Sequence, residues 1–420
     1  MKEIVIIGGG AAGLMATYSA ARFKDDKTNI TVIEKNGRVA RKVMITGKGR
    51  CNVTNNCNLD TFIANVTKNG RFLYSAFNEF SSEDTMAFFE NAGVPLKTER
   101  GNRVFPVSDK AVDIVDALFN TSKKNNVKII EGTAERIIAV ENRVTAVKLA
   151  SGQIINCDAL IIATGGLSYP LTGSTGDGYV MAKSIGHTVT PLIPSLVPLE
   201  CHEGFCYHLS GLSLKNVNLS IYEEGKKKPI FSQLGEMLFT HFGISGPLVL
   251  SASAHIRKME KQKYTVQIDL KPALDEEQLD KRLLRDFSNE LNSNFSNSLG
   301  ELLPKSLIPV IVGISGIPSN LKVNQISKEQ RKNLVYLLKH LTLNVKAYRP
   351  IEEAIITSGG ISVKEIEPST MKSKLNEGLY FAGEIIDVDA YTGGFNLQIA
   401  FSTGYCAGKS AALNLKELNL

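Results

Sequence analysis

Residues 4–13 read Ile-Val-Ile-Ile-Gly-Gly-Gly-Ala-Ala-Gly, and this stretch decides the fold. The apolar run is typical of a parallel strand buried on both faces. Glycines follow it in G-x-G-x-x-G spacing at Gly8, Gly10 and Gly13, and residues 11–22 have helical composition and periodicity. In this arrangement the first glycine permits a tight turn, the second lets the backbone approach a pyrophosphate, and the third lets helix and strand pack closely. The sequence therefore predicts a strand, a phosphate-binding turn and a helix whose N-terminus attracts anions.

A carboxylate at the end of the next strand strengthens the prediction of a dinucleotide site. Residues 30–33 form a second apolar run, and Glu34 follows it, 21 residues after Gly13. A Rossmann-type fold needs an acceptor for a ribose 2′-hydroxyl at this position. An acid there suits NAD or FAD, and it disfavours the 2′-phosphate of NADP at this particular site.

Motifs near the middle and the end of the chain favour FAD over NAD. A third strand, 158–162, leads into Ala-Thr-Gly-Gly at 163–166, and a late strand leads into Gly-Glu at 383–384. Asp387 follows, before residues 391–398 begin a final helix. In two-dinucleotide flavoproteins the small-residue turn packs beside the cofactor, the late acid contacts its ribityl and phosphate groups, and the last helix stabilises negative charge on the flavin. The order of these motifs predicts FAD.

The composition is that of an ordinary globular protein. The chain has 420 residues, of which 43% are hydrophobic, and a net charge of +6, which permits a polyanionic partner without requiring one. The length predicts about two to three domains. No apolar run approaches the ~20 residues that span a bilayer, so no membrane association is expected. Six cysteines without a disulfide-framework spacing, and a first strand with no signal peptide before it, predict a cytoplasmic protein.

One group of metal-ligating residue types occurs in the sequence, Cys-His-x-x-x-Cys-x-His at residues 201–208. It lacks the C-x-x-C spacing of structural zinc sites, and its ligands would crowd a short loop. We interpret it as a polar connection at a domain junction, and no metal site is predicted.

Both ends of the chain are needed for the FAD fold, so the middle is predicted to be an insertion. We expect the FAD-binding domain to comprise residues 1–192 and 359–420. Prolines mark its exit, and alternating strand patterns then predict a β-barrel-like domain over 193–272 and 342–358. Residues 273–341 are polar, with Leu and Ile at helical spacing, which predicts a helical insertion in the barrel. The fold class is α/β, a Rossmann-type domain that carries this inserted barrel.

The helical insertion contains many basic residues that admit two interpretations. Mixed charge is the usual state of a solvated surface, and several acids are interspersed here. The alternative is a basic face for an RNA substrate, although the segment has no aromatic interleaving and no known RNA-binding motif. The basic residues are Lys281, Arg282, Arg285, Lys322, Lys328, Arg331, Lys332 and Lys339.

Residues 41–55 carry a specific signature, Arg-Lys-Val-Met-Ile-Thr-Gly-Lys-Gly-Arg-Cys-Asn-Val-Thr-Asn. This stretch resembles the R-K-x-x-x-[ST]-G-x-G-R-C-N-x-T-N signature of the HI0933-like flavoproteins, also known as BaiN-like or aminoacetone-oxidase-like FAD-binding proteins. The resemblance continues at residues 168–170, 173–179, 196–199, 236–247, 357–361 and 384–401. It implies the same order of segments, with an FAD domain interrupted by a barrel and its helical insertion.

The resemblance also implies site residues at both ends of the chain. The signature would form a loop around the cofactor, in which Thr46 and Asn52 hydrogen-bond it and Arg41 or Arg50 offsets its charge. The start of the last helix would present backbone N–H groups to the flavin. The complete set of expected cofactor-binding residues is Gly8, Gly10, Ala12, Gly13, Glu34, Lys35, Arg41, Thr46, Gly47, Arg50, Cys51, Asn52, Ala134, Thr164, Gly165, Gly383, Glu384, Asp387, Gly394, Asn396 and Leu397.

Four residues are candidates for proton transfer near the flavin. His241, Tyr391 and Lys48 have side chains that can donate a proton to a substrate carbon or oxygen. Cys51 is the fourth, as a packing or proton-donating residue. Cys57 lies six residues further on, which is a poor spacing for a redox pair and argues against a disulfide reductase.

Three functions are compatible with these observations. The favoured one is an FAD-dependent reductase that takes hydride from NAD(P)H and reduces an activated C=C bond, in a small molecule or in a ribosomal RNA uridine. The second is an oxidase that passes electrons from a small amine or aminoketone to oxygen. The third is a flavin-bound protein that binds RNA or a partner without turnover. The sequence has no second G-x-G-x-x-G unit, so NAD(P)H would visit the flavin transiently. It gives no prediction of the oligomeric state.

Overall fold

The computed structural model describes residues 1–123, 127–260 and 263–417. Its α-helices are α1 Ala11–Phe23, α2 Arg41–Ile45, α3 Leu59–Ala64, α4 Tyr74–Glu79, α5 Ser82–Asn91, α6 Ala111–Lys123, α7 Asp177–Ser184, α8 Phe205–His208, α9 Pro247–Ser253, α10 Glu276–Ser288, α11 Ile308–Ile314, α12 Lys328–Lys339 and α13 Phe395–Glu417. Its strands are β1 Lys2–Ile7, β2 Thr28–Glu34, β3 Thr54–Asn55, β4 Val66–Lys68, β5 Leu96–Glu99, β6 Arg103–Pro106, β7 Lys128–Glu131, β8 Ala134–Val140, β9 Arg143–Leu149, β10 Ile154–Asn156, β11 Ala159–Ile162, β12 Ile193–Ser195, β13 Leu199–Cys201, β14 Ser213–Glu223, β15 Phe231–Thr240, β16 Gly243–Ser245, β17 Tyr264–Asp269, β18 Leu341–Tyr348, β19 Ile356–Ser358, β20 Leu379–Phe381 and β21 Asp389–Ala390.

The chain divides into two compact units. The first comprises residues 1–195 and 350–420, and the second comprises residues 196–349. The first unit is built on a five-stranded parallel sheet in the order β20-β11-β1-β2-β7. Its inner strands are apolar because both of their faces are covered, and residues 4–6 and 160–162 are fully buried.

Helices cover this sheet, and α1 and α13 pack closely against each other. Close packing depends on glycines in α13, because a Cβ on Gly404 would lie 2.4 Å from the carbonyl oxygen of Ala12. A Cβ on Gly408 would lie 2.1 Å from the carbonyl oxygen of Ala16. The first and last helices of the unit therefore lie together, which brings the two ends of the sequence to one site.

Smaller sheets complete the first unit. The antiparallel sheet β10-β9-β8 follows β7 in the chain, and β3, β6 and β5 form a second three-stranded sheet. Two strand pairs, β12 with β19 and β21 with β4, tie distant segments together. The buried carboxylate of Asp389 in β21 accepts hydrogen bonds from Ser195 in β12 and Ser358 in β19, both at 3.0 Å.

The second unit contains a closed barrel in the order β13-β16-β15-β14-β17-β18. The barrel strands alternate buried and exposed residues, as in β18, where Leu341, Leu343 and Val345 are buried. The structure confirms the predicted fold class, a Rossmann-type α/β domain together with a β-barrel.

The boundary on the return from the barrel differs from the expectation. The sequence pattern assigned 342–358 to the barrel, whereas the second unit ends at Arg349. Ile356–Ser358 instead pairs with Ile193–Ser195 inside the first unit. Residues 356–358 resemble a barrel strand such as β18 in their apolar pattern. Pairing partners that lie far apart in the chain therefore decide which sheet each segment joins.

The helical insertion lies in the second unit and contains α10, α11 and α12. Capping boxes begin α10 at Asp275 and α12 at Ser327. Apolar side chains of both helices, among them Leu283 and Leu338, are buried in the same hydrophobic cluster as the barrel residues. Five of the eight basic side chains named above lie within 4 Å of carboxylates, namely Lys281, Arg282, Arg285, Arg331 and Lys339.

Two further observations concern predictions made from composition. In the described ranges, no helix has the length and apolar character needed to cross a membrane. Nor does any group of three or more His, Cys, Asp or Glu side chains there lie close enough together to hold a metal ion. Cys201 and Cys206 are both free thiols, and a hydrogen bond between them accompanies a raised pKa of Cys201.

Candidate cofactor site

The carboxyl ends of the parallel strands in the first unit open into a cavity. It lies where the strand order reverses, because β2 is on one side of β1 and β11 is on the other. Open α/β sheets bind ligands at such a switch point. The cavity has a volume of about 1320 Å³, including the part that is open to solvent. The glycine turn, the end of β2, α2, the turn after β11 and the start of α13 all contribute to its walls.

The glycine turn at the start of α1 has the properties that the sequence predicted. Gly8 has φ of 101°, and a Cβ there would lie 2.5 Å from the carbonyl oxygen of Ala163. A Cβ on Gly13 would lie 1.8 Å from the carbonyl oxygen of Gly8, so helix and turn are in direct contact. A Cβ on Gly10, in contrast, would have no atom of the described chain within 4 Å. The second glycine therefore borders open space at the helix N-terminus.

The N-terminus of α1 carries no compensating groups of its own. Gly10 is the N-cap, no side chain of the described residues caps the helix, and the first turn contains no acid. The first N–H groups of a helix lack intrahelical partners and bear a partial positive charge. This end of α1 can therefore bind a phosphate group.

The carboxylate of Glu34 lies at the end of β2, and the residue is buried, with an exposed fraction of 9%. One oxygen accepts a hydrogen bond from the backbone N–H of Gly9 at 2.8 Å. The other accepts from the backbone and the side-chain amide of Asn36, at 2.9 and 2.8 Å. A carboxylate has about four acceptor positions, so Glu34 retains capacity for a hydroxyl donor after these three bonds.

Basic side chains at the same wall differ in their partners. Lys35 forms an ion pair with Asp177 at 2.6 Å. Arg41 donates a hydrogen bond to the side-chain carbonyl of Asn36 at 3.0 Å, and Arg38 lines the same cavity. This hydrogen-bond partner is neutral, so it does not compensate the charge of Arg41, which can neutralise an anionic ligand.

Lys42 and Glu384 form the most enclosed ion pair of the cavity wall. The ammonium of Lys42 lies 2.7 Å from one carboxylate oxygen of Glu384 and 2.6 Å from the hydroxyl of Ser168. The other oxygen of Glu384 accepts hydrogen bonds from the Ser168 hydroxyl and the Thr357 N–H, both at 2.9 Å. The resemblance implies that Glu384 contacts the cofactor, but its carboxylate is already bonded to three protein groups.

The loop after α2 has an unusual backbone conformation. Gly47, Lys48 and Gly49 have φ of 56°, 59° and 83°, and Cys51 has φ of 59°. Left-handed conformations in residues other than glycine cost energy and occur often at functional sites. Of the predicted loop residues, Thr46 lines the cavity and donates a hydrogen bond to the Val43 carbonyl at 2.7 Å.

Arg50 and Cys51 point away from the cavity, into contacts with the protein. The Arg50 guanidinium bonds Glu99 at 2.5 Å and Asp109 at 2.6 Å, and its carbon lies 4.2 Å from the centre of the Phe105 ring. The hydrogen bond from Arg50 lowers the pKa of Glu99, and hydrogen bonds from Lys97 and Arg50 lower the pKa of Asp109. The observed partners of Arg50 therefore favour a structural ion pair over contact with the flavin.

Cys51 is fully buried, and burial raises the pKa of its thiol to about 12. A thiol with such a pKa stays protonated at neutral pH and is a poor nucleophile. Cys57 is also a free thiol, half-buried and with a raised pKa. These properties fit a packing role for Cys51 and argue against a redox pair.

The start of α13 forms the wall opposite the signature loop. The side-chain amide of Asn396 donates to the Ala390 carbonyl at 2.8 Å and accepts from the Ala390 N–H at 2.9 Å. These bonds fix the turn that leads into α13. As at the start of any α-helix, the N–H groups of its first turn have no intrahelical partners. Asn396 and Leu397 both line the cavity.

The structure brings most of the expected cofactor-binding residues together around this one cavity. Those that line it are Gly8, Gly10, Ala12, Glu34, Lys35, Arg41, Thr46, Ala134, Thr164, Gly165, Gly383, Glu384, Asn396 and Leu397. Expected residues that lie outside the lining are Gly13, Gly47, Arg50, Cys51, Asn52, Asp387 and Gly394. Gly13 and Gly394 act through close packing, since a Cβ on Gly394 would lie 2.3 Å from the backbone of Thr54. The carboxylate of Asp387 pairs with Lys68 at 2.6 Å.

The candidates for proton transfer do not line the cavity. Lys48 is exposed in the signature loop, and Cys51 is buried beneath it. Tyr391 packs against the core of the first unit, and its backbone N–H donates to the carbonyl of Asn65. His241 belongs to the second unit, where it lies between β15 and β16 and its ring contacts that of Phe242. None of the four has an assigned catalytic contact, and their roles stay predictions.

Sequence reasoning missed several residues of the cavity wall. Lys42 is one, although it is the second residue of the recognised signature. Asp177 is another, and it lies in the Gly-Asp-Gly-Tyr stretch that also belongs to the resemblance. Both positions were available as signals. Ser168 and Thr357 lie outside the lining and hydrogen-bond Glu384; they too belong to stretches of the resemblance, but only the tertiary contacts show what they bind.

The residues present fit a dinucleotide cofactor. An uncapped helix N-terminus, an open position at Gly10 and the cation of Arg41 suit a diphosphate. Glu34 has acceptor capacity for a ribose hydroxyl. Thr164 also lines the cavity, and its hydroxyl oxygen is buried without a hydrogen-bond partner in the described chain. Such an atom is accounted for when a polar ligand binds beside it.

Comparison with protein families gives a match over nearly the whole chain. The model of the HI0933-like protein Rossmann domain matches residues 2–410. The 3-dehydro-bile acid delta(4,6)-reductase of Clostridium scindens is 30% identical over 98% of this chain and 99% of its own length. The ribosomal RNA dihydrouridine synthase of Haemophilus influenzae is 32% identical over 97% of this chain and 98% of its own length.

Solved structures resemble the chain in fold. A variant of E. coli quinol fumarate reductase matches with a TM-score of 0.52 and 16% identity, over 100% of this chain and 72% of that one. The 3-ketosteroid delta1-dehydrogenase of Sterolibacterium denitrificans matches with a TM-score of 0.52 and 12% identity, over 99% of this chain and 100% of that one. At these identities the likeness concerns the fold alone.

Proposed function

The chain belongs to the HI0933-like family of FAD-dependent oxidoreductases, and from that premise we propose that it is an NAD(P)H-dependent reductase of an activated C=C bond. The substrate would be a small molecule or a uridine of ribosomal RNA. The double bond would be conjugated to a carbonyl group, because conjugation makes the bond electrophilic enough to accept hydride.

The observation that carries this proposal is the agreement between two differently named relatives. One is named as a reductase of delta(4,6) double bonds in a 3-dehydro-bile acid, and the other as a synthase of dihydrouridine. Both names describe the addition of hydrogen to a C=C bond, and both proteins match this chain from end to end. The reaction type is therefore common to relatives that differ in substrate.

The first unit supplies groups that would hold and orient FAD. The N-terminus of α1 and Arg41 would bind the diphosphate, and Glu34 would accept a ribose hydroxyl. The first turn of α13, with Asn396, would direct backbone N–H groups at the flavin. When bound, FAD supplies the hydride acceptor and donor, and the protein supplies position and electrostatic environment.

The same residues argue for one reaction class over another. A disulfide reductase needs a reactive thiol beside the cofactor, but Cys51 is fully buried and burial raises its pKa to about 12. Among the described residues only one sheet is parallel, and it carries the predicted FAD site. NAD(P)H therefore has no dinucleotide-binding unit of its own there. We therefore propose that NAD(P)H and the substrate bind one after the other at the same site beside the flavin.

An anaerobic titration tests the proposal. The purified holoprotein is mixed with NADPH and, separately, with NADH while the flavin absorbance is recorded. Loss of the oxidised flavin absorbance at a rate that depends on the nucleotide concentration is the expected result. A flavin that remains oxidised with both nucleotides contradicts the proposal and favours the amine or aminoketone oxidase, which the same cuvette tests by adding amines.

Electron acceptors distinguish the two substrate classes. The reduced enzyme is mixed with a conjugated dienone or with ribosomal RNA lacking dihydrouridine, and reoxidation is followed under exclusion of oxygen. Product is identified by mass, since each reduced double bond adds two hydrogens. A matched control is a saturated ketone of the same carbon skeleton, which must not reoxidise the flavin. Binding of RNA without any reoxidation favours the non-catalytic alternative, and loss of that binding with added salt measures its electrostatic part.

A further inference from the structure

Four segments that are distant in the chain meet at one point of the cavity wall. They contribute Lys42 from α2, Ser168 from the turn after β11, Thr357 from β19 and Glu384 from the turn after β20. We call these residues the Lys42 clamp. The carboxylate of Glu384 and the hydroxyl of Ser168 both face the ammonium of Lys42, at 2.7 and 2.6 Å.

The hydrogen bonds of the clamp hold Glu384 by three protein groups and leave one donor of Lys42 unused. Glu384 accepts bonds from the Lys42 ammonium, the Ser168 hydroxyl and the Thr357 N–H. A lysine ammonium has three N–H donors, and the described chain provides acceptors for two of them. Because Lys42 itself lines the cavity, its remaining donor is available to a group bound there.

The geometry points to Lys42 as the cation that faces an anionic part of the cofactor, with Glu384 acting through Lys42 as a positioning residue. This inference depends on the proposed function only for the presence of FAD. It changes the role that the resemblance implies for Glu384, from a direct contact to the support of another side chain. Nothing in the reduction of a substrate needs to succeed for the inference to be tested.

The burial of this ion pair indicates that its role is not confined to stabilising the fold. The side chains of Lys42 and Glu384 retain only 24% and 14% of their exposure, and Ser168 is fully buried. Enclosed ion pairs contribute little net stability, because desolvation offsets their attraction. Both side chains line the cavity, and contacts with Ser168 and Thr357 hold the carboxylate of Glu384 beside the ammonium of Lys42.

Because their charges are opposite and both line the cavity, the two residues act in opposite directions on a bound anion. When Lys42 is replaced by an uncharged residue, the cavity loses the positive charge of the clamp and retains the negative charge of Glu384. When Glu384 is replaced by glutamine, Lys42 stays charged while its counter-charge is removed. An anion in the cavity is therefore destabilised by the first change and stabilised by the second. If both residues had a purely structural role, both substitutions would instead lower the stability of the protein and change anion binding in the same direction.

Sulfite provides a probe of this electrostatic effect. It adds reversibly to oxidised flavin through its sulfur lone pair, the flavin absorbance bleaches, and the adduct carries additional negative charge. For Lys42→Met we expect the sulfite dissociation constant to rise about tenfold, and for Glu384→Gln to fall severalfold. Lys42→Arg keeps the charge and is expected to stay within about twofold of the unaltered protein. Equilibrium FAD affinity of the FAD-free protein is measured for every variant.

Several results would overturn the inference. One is a sulfite constant that moves in the same direction for Lys42→Met and Glu384→Gln. Another is a large loss of FAD affinity in Glu384→Gln together with unchanged behaviour of Lys42→Met, since Glu384 would then contact the cofactor directly. Melting of the FAD-free proteins separates these effects from misfolding, with Ser168→Ala as a control that keeps both charges. If Lys42→Met does not fold, Lys42→Gln takes its place, and loss of FAD affinity with retained melting supports the inference.

Discussion

The glycine turn gives the sharpest test of the cofactor site, because two of its glycines are predicted to respond oppositely to the same methyl group. A Cβ on Gly13 would lie 1.8 Å from the Gly8 carbonyl oxygen, far inside a normal contact distance. We expect Gly13→Ala to lower the free energy of unfolding of the FAD-free protein by about 3 kcal/mol or more, as overpacked sites do. At Gly10 the same methyl group meets no described atom within 4 Å.

The backbone at Gly10 also accepts alanine, since its φ of −81° and ψ of −169° lie in the extended region. Alanine is a poorer N-cap than glycine by about 0.5 kcal/mol, and it restricts the unfolded chain by a similar amount. The two effects nearly cancel, so the stability of the FAD-free protein is expected to change by less than about 1 kcal/mol. FAD affinity is expected to fall about 10- to 100-fold, because the methyl group occupies the approach of the diphosphate to the helix N-terminus.

Two measurements on each variant decide the question. Denaturant unfolding of the FAD-free protein gives the free energy of unfolding, and a fluorescence titration with FAD gives the dissociation constant. The reasoning is refuted if Gly10→Ala binds FAD as tightly as the unaltered protein. It is equally refuted if Gly10→Ala and Gly13→Ala lose the same amount of stability.

Two further predictions concern titrating groups of the first unit. Burial lowers the pKa of His187, and hydrogen bonds from Thr188 and His187 outweigh partial burial to lower that of Glu365, so the unfolded chain binds more protons than the folded one. Stability should therefore decrease as the pH falls below about 6.5, the ordinary value for histidine, and melting between pH 8 and 5 should show a smaller decrease in His187→Gln. Cys51, with its pKa raised to about 12 by burial, should resist alkylation in the native protein at pH 8. Mass spectrometry should find half-buried Cys57 labelled before Cys51, and rapid labelling of Cys51 would contradict the burial argument.

Local sequence carries much of the fold of the first unit. The apolar run at residues 4–7 and the spacing of Gly8, Gly10 and Gly13 specify a buried strand, a tight turn and a closely packed helix. These are short-range properties, in which a few consecutive residues fix the backbone and its solvent exposure. The same holds for Glu34, which the end of a strand places at the cavity.

Segments with similar patterns but distant partners could not be assigned in this way. Residues 356–358 resemble a barrel strand, yet they pair with residues 193–195 in the first unit. Arg50 stands in a signature of cofactor-binding residues, and its geometry is decided by Glu99 and Asp109, about 50 residues further along the chain. A periodic pattern reports that a strand is half-buried, but it does not report which strand covers it.

The sequence by itself determined that this protein has a Rossmann-type domain with a dinucleotide site and an inserted barrel, because glycine spacing and hydrophobic period are local constraints. Only the tertiary structure decided which side chains surround the cavity and which of them pair with one another. Lys42, Ser168 and Glu384 are separated by more than a hundred residues from one another, and packing brings their polar atoms within 3 Å. Such contacts depend on the closure of the whole fold, since hydrogen bonds act over a few ångströms while sequence patterns describe only neighbours along the chain.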